Sequence, residues 1–196
     1  MLTPRITAIN PIEVLRYLGG PLTDIPDALL QTVQQTATEL QSTARPKAVW
    51  RIFSLDGTAL LGTTLSLSGV DIQRHLTDCT KGVLMAATLG ADVERLIMHA
   101  QVSDLSKALI LDSCASAAIE NICDNLEADV FDGGTGDGFF LTDRFSPGYG
   151  DLPLALQSDF CTLLNTQRQI GLTVSQSNIL IPRKSVTAIL GISNHP

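Results

Sequence analysis

Apolar residues recur at helical spacing through the middle of this chain. Ala108, Leu111, Ala115, Ala118, Ile119, Ile122 and Leu126 fall in a run, 104–132, that no glycine or proline interrupts. A stripe with that period predicts one long helix, opened by Ser103 or Asp104. Its middle, Ser113-Cys114-Ala115-Ser116-Ala117-Ala118, consists of small side chains. Small residues let another backbone or a ligand come close, and the sequence leaves both readings open. Glu120 stands out as the acid well inside the apolar part of this helix.

The same reading extends to both ends of the chain. Asn10-Pro11 has the form of a cap followed by proline at the first helical position, predicting a short helix to Tyr17 that Gly19-Gly20-Pro21 ends. A second helix is predicted over 27–43, and Pro46 stops the chain from continuing helically. Residues 48–53 read as a strand, and Asp56-Gly57 turns the chain into another over 59–64. A helix over 68–76, a fully buried strand over 82–90 and a helix over 92–101 follow. Beyond the long helix, 139–141 reads as a strand and 154–165 as a helix. Residues 178–181 and 185–192 read as strands around the turn Pro182-Arg183-Lys184. This order predicts the α+β class, with segregated helices and a mostly antiparallel sheet. The expected organisation is an N-terminal helical segment, 1–45, and an α+β core, 46–196, joined in one compact unit.

Composition narrows the function classes. The chain has 196 residues, of which 44% are hydrophobic, 17% charged and only 5% aromatic, so one largely aliphatic core is expected. A net charge of −7 argues against a nucleic-acid partner, which requires a basic face. No apolar run approaches the ~18 residues of a membrane span. The N-terminus lacks the basic-then-apolar layout of a signal peptide. The expectation is a cytoplasmic protein with no membrane partner. Cys79, Cys114, Cys123 and Cys161 are scattered, and His75, His99 and His195 are not paired with them. Buried thiols are the plain reading, and a shared metal or redox pair the other. The stretch Asp132-Gly133-Gly134-Thr135-Gly136-Asp137-Gly138 carries two acids and lacks Gly-Lys-Ser/Thr, so a flexible loop is expected there, not a phosphate cradle. There is no dinucleotide-binding glycine fingerprint, no zinc-ligand spacing and no nucleophile signature. No catalytic residue and no metal site are expected.

The chemistry concentrates in Arg144-Phe145-Ser146-Pro147-Gly148-Tyr149-Gly150-Asp151. An arginine keeps its charge at any working pH and grips a carboxylate in a planar fork, so Arg144 reads either as a ligand-binding cation or as a surface or salt-bridging arginine. Pro-Gly sets a tight turn in which a ligand can approach backbone amides. The Tyr149 ring can stack on a flat or cationic group or, alternatively, serve the core. Asp151 can cap the helix that follows. Together these residues suit a small zwitterion bearing a carboxylate, a sulfonium or ammonium, and a flat base.

Arg-x-x-Pro-Gly-Tyr resembles the S-adenosylmethionine-binding motif of the activation domain of cobalamin-dependent methionine synthase. The likeness continues in order through Asp151-Leu152-Pro153, a helical stretch over 154–165, Ile170-Gly171-Leu172-Thr173-Val174-Ser175-Gln176-Ser177 and Ile181-Pro182-Arg183-Lys184-Ser185-Val186. It covers roughly the last third of the chain. The resemblance implies that Arg144 pairs with the methionyl carboxylate and that Ser146, Pro147, Gly148 and Tyr149 hold the ligand through their backbone. It also implies an acid on the corresponding helix near the sulfonium or amino group, which makes Glu120 either that acid or an exposed helix position; Arg183 and Lys184 read either as a solvated basic pair or as a contact for a corrinoid partner. With no room for a cobalamin module, the chain is expected to be a stand-alone activation subunit. It would bind S-adenosylmethionine and act in trans on a cobalamin-carrying methionine synthase or related corrinoid protein, with a one-electron donor such as flavodoxin. The alternative is a non-catalytic sensor or scaffold. No turnover is expected of the chain alone.

Overall fold

The computed structural model describes residues 2–19, 23–131 and 139–193. The breaker at Gly20-Pro21, the glycine-rich stretch 132–138 and His195 lie outside the described residues.

Asn10 caps α1 (Pro11–Tyr17) by accepting from the Ile12 amide, with proline at the first position. Then come α2 (Asp27–Thr43), β1 (Lys47–Asp56), β2 (Ala59–Leu60), α3 (Val70–His75), β3 (Cys79–Thr88) and α4 (Ala91–Ser103). The long helix α5 (Leu105–Val130) opens where Asp104 accepts from the Lys107 amide. After it lie β4 (Phe140–Leu141), α6 (Leu156–Leu164), α7 (Thr166–Ile170), β5 (Thr173–Val174), β6 (Leu180–Ile181) and β7 (Ser185–Ser193). Among the described residues no helix is long and apolar enough to cross a membrane.

The main sheet is antiparallel in the order β2-β1-β3-β7-β4. Residues 82–88 of the central strand are buried, because both faces of the sheet are covered. On one face Val83, Met85, Ala188 and Leu190 join Val14, Val33, Leu40, Leu111 and Ile122, which places α1, α2, α4 and α5 in one core. The N-terminal helices therefore pack on α5 itself. On the other face Leu84, Ala86 and Ile189 join Ile72, Phe145, Leu152 and Phe160 from α3, the motif turn and α6.

Three expectations need correction. The strand foreseen over 59–64 ends at Leu60, because Gly62 takes φ +81° and Thr63 turns the chain, donating to the Leu60 carbonyl and accepting from the Leu65 amide. The element over 178–181 pairs with β5 in a separate two-stranded ribbon, not with β7. Asp151 does not cap the helix that follows. Its carboxylate accepts from the Val70 and Asp71 amides and so starts α3, some eighty residues earlier. That cap lies where a Cβ on Gly69 would sit, and Gly69 holds φ +142°, so glycine is required there.

Candidate functional site

Arg144 owes its position to a bulge. Leu141 pairs with Ile192, and the Thr142 amide donates to the Gly191 carbonyl, but the next pair is Phe145 with Ile189. Three steps on one strand thus oppose two on the other, the extra-residue count that re-aims a side chain. Phe145 drops into the second core, while Arg144 reaches across to α5.

There the guanidinium meets three carboxylates. Nη2 donates to Glu120 at 2.8 Å, and Nη1 donates to Asp124 at 3.0 Å and to Glu127. The Arg144 side chain is only 21% exposed. Burial opposes its charge, but the neighbouring acids outweigh that and hold its pKa above the ordinary arginine value. Burial raises Glu127 above the usual carboxylate range, against the pull of Arg144. Three acids around one cation leave a formal surplus of two negative charges. Of five guanidinium hydrogens three are engaged, so Nε and a second Nη2 hydrogen have no bonding partner among the described residues.

Glu120 is therefore not the one acid inside the long helix. Asp112, Ser116, Glu120, Asp124 and Glu127 follow one another at three- and four-residue spacing, so they share a face of α5. Lys184 docks on the same face, with Nζ 3.0 Å from an Asp112 carboxylate oxygen and 2.9 Å from the Ser116 hydroxyl. From Asp112 to Glu127 the helix rises about 22 Å. The structure thus brings Arg144 and Glu120 together and sets Lys184 further along the same helix. The exposed Arg183 makes a backbone contact, its amide donating to Glu94 at 3.3 Å. The period-four spacing of the acids was available in the sequence, but the apolar stripe of the same helix masked it.

The turn after Arg144 is closed on itself. Gly148 N–H donates to the Leu152 carbonyl at 2.8 Å, Tyr149 N–H to Ser146 at 3.0 Å and Leu152 N–H to Tyr149 at 3.1 Å. Gly148 holds φ +90°, with Leu154 Cδ1 3.0 Å from where a Cβ would be. The amides of Gly148 and Tyr149 are therefore engaged within the turn and not bare. Pro147 is buried, Ser146 is half-buried and Tyr149 is 70% exposed. The Tyr149 ring meets Phe145 edge-on at 5.4 Å, and Phe145 in turn lies 5.0 Å from the His75 ring. His75 Nε2 sits 2.9 Å from the Asp143 carbonyl and 2.8 Å from the Thr142 hydroxyl, and burial lowers its pKa.

A cleft of about 320 Å³ between α1 and α5 borders the acidic cluster, lined by Asn10, Glu13, Tyr17, Ala117, Glu120 and Asp124. Tyr17, which sequence reading passed over, has its pKa raised by burial and by Glu120 and Glu13. Ala115 and Ala118 are fully buried in the first core, while Ala117 faces this cleft. Cys114, Cys123 and Cys161 are buried, and burial pushes Cys114 and Cys123 up to about 12. Among the described residues no group of three His, Cys, Asp or Glu is placed to hold a metal ion.

No family model matches this chain, and no curated protein matches it. Among solved structures it is similar to the crystal structure of the MetH reactivation domain bound to AdoHcy, with a TM-score of 0.73 and 12% sequence identity. The likeness covers 100% of this chain and 78% of that one. Mixed helices, an antiparallel sheet and end-to-end coverage lead to one conclusion: the chain has the fold of the MetH reactivation domain.

Proposed function

We propose that this chain binds S-adenosylmethionine beside Arg144 and presents it to a cobalamin-carrying partner, as a stand-alone activation subunit. The observation that carries the reading is the Arg144 cluster, five residues before an exposed Tyr149, in a fold whose solved counterpart holds AdoHcy. The ligand's carboxylate takes the two unused guanidinium hydrogens. Its ammonium and sulfonium lie toward Glu120 and Asp124, where the surplus negative charge favours a cation. Tyr149 offers a ring face to the base. Of the two cations near the end of the chain, Lys184 is committed to α5, which leaves Arg183 to meet the partner.

The partner's corrinoid supplies the methyl-accepting cobalt, and an external donor such as flavodoxin supplies the electron. The contribution of this chain is to hold the methyl donor in place, which requires neither a base nor a nucleophile from it. One observation favours the alternative. Arg144 already pairs with three acids, as it would in a scaffold that has kept the fold and lost the ligand. Visible spectra of a cobalamin-loaded partner, with S-adenosylmethionine and reductant, separate the two. The proposal expects the cobalt(II) band to convert to methylcobalamin faster when this chain is added. An unchanged rate would leave the sensor or scaffold.

A further inference from the structure

We infer that the open edge of β1 is a docking site for an acidic, extended segment of a partner protein, which adds to the sheet as a further strand. This edge is at the opposite side of the sheet from Arg144, so the inference stands apart from the proposed ligand site.

The argument begins with backbone valences. Ala48 exchanges both hydrogen bonds with Leu2, at 2.9 and 3.1 Å, so even-numbered residues of β1 point outward from the sheet. Ser54 agrees, its carbonyl accepting from the Leu61 amide at 2.9 Å. Between these two ends, Trp50 and Ile52 turn their N–H and C=O outward, and neither has a backbone or side-chain partner among the described residues. The six steps from Ala48 to Ser54 span roughly 20 Å, and with Leu2 and Leu61 holding the two ends a short strand fits opposite 49–53. Rows of unpaired groups of this kind are what strand addition uses.

The side chains specify the occupant. Trp50 and Ile52 are half-buried against the first core and offer apolar shelves on one face. Arg51 is exposed on the other, with its guanidinium 4.9 Å from the Phe53 ring centre. At the Ala48 end lies a cleft of about 670 Å³ lined by Arg5, Ile6, Ala44, Arg45, Pro46 and Lys47. None of Arg5, Arg45, Lys47 and Arg51 pairs with a carboxylate among the described residues, in a chain of net charge −7. Arg45 donates instead to the Ser42, Thr43 and Ala44 carbonyls. A segment reading apolar–acid–apolar, followed by further acids, meets all of this. Its acid faces Arg51, its apolar residues face Trp50 and Ile52, and its acidic end leaves the edge before Leu2, toward the cationic cleft. A second copy of this chain does not fit. Pairing β1 with itself about Arg51 sets Arg51 against Arg51, and like charges directly opposite destabilise a sheet. It also brings the Leu61 segment of one copy onto Leu2 of the other.

Trp50 is the chain's one tryptophan, so its emission reports on this edge alone. The probe is the peptide Thr-Val-Glu-Val-Asp-Glu, titrated unlabelled against Trp50 emission and fluorescein-labelled in polarisation. Saturable binding with a blue shift is expected. Methylating both valine amides should abolish it, and Arg51→Glu should weaken it tenfold or more while admitting Thr-Val-Lys-Val-Asp-Glu. Equal binding of the methylated peptide would show charge attraction without strand addition and overturn the inference. So would no shift up to millimolar peptide, which would leave Arg51 only as a charge that keeps the edge from aggregating.

Discussion

Arg144 and Glu120 are 24 positions apart in sequence and 2.8 Å apart in space. The pair ties the bulged strand before the motif to the middle of α5, and Asp124 and Glu127 repeat the tie one and two turns further on. A zwitterion arriving here meets a cation whose charge is already answered and acids in surplus. On the proposed function, Glu120 and Asp124 matter to recognition as much as Arg144 does.

Glu127 gives this cluster a pH signature. Burial raises its folded pKa above the ordinary value of 4.5, so the folded chain holds a proton more tightly than the unfolded chain. The sign follows from linkage: stability from this group is greatest at low pH and declines as pH rises from 4.5 through the folded pKa. Glu127→Gln removes that decline. Denaturant melts at pH 4 and pH 7 should show the variant gaining on the parent as pH rises. A difference that does not change with pH would contradict the burial of this carboxylate.

The small residues of α5 tolerate no bulk. Ala115 is fully buried where α5 meets its neighbours. Ala115→Leu should lower stability by roughly 1–3 kcal/mol. A melting curve identical to the parent's would mean that space exists where none is described.

Asp151 joins the motif turn to α3. Replacing it by alanine removes acceptors for the Val70 and Asp71 amides and should cost about 1 kcal/mol, as capping losses do. Amide exchange should rise at Val70 and Asp71 first. Unchanged protection at both would rule out the cap.

Much of the architecture could be read locally. Asn10-Pro11, Asp104 and the apolar run of β3 each carry their own signal within a few residues, and each forms the element expected. What sequence reading missed depends on distant partners. The bulge at 142–145 exists only against β7, and the Asp151 cap only against α3. The closed bonding inside the Pro-Gly turn also escaped notice, because Leu152 returns to Gly148. As for the site, Arg144 and Glu120 could be named in advance, but their mutual pairing could not. A carboxylate near a cation can bind a ligand or the cation itself, and only the fold decides which.

The most direct test of the account is calorimetric titration of S-adenosylmethionine into the parent chain, Arg144→Ala and Tyr149→Ala. Tyr149 is exposed enough that its loss should leave the fold intact. The account predicts saturable binding by the parent and about a tenfold or greater loss in Arg144→Ala, the size expected when a charge-assisted hydrogen bond worth ~1.5–3 kcal/mol is removed. A clear loss is also predicted in Tyr149→Ala, with its melting temperature unchanged. Equal affinity in all three proteins, or no binding heat in the parent, would contradict it.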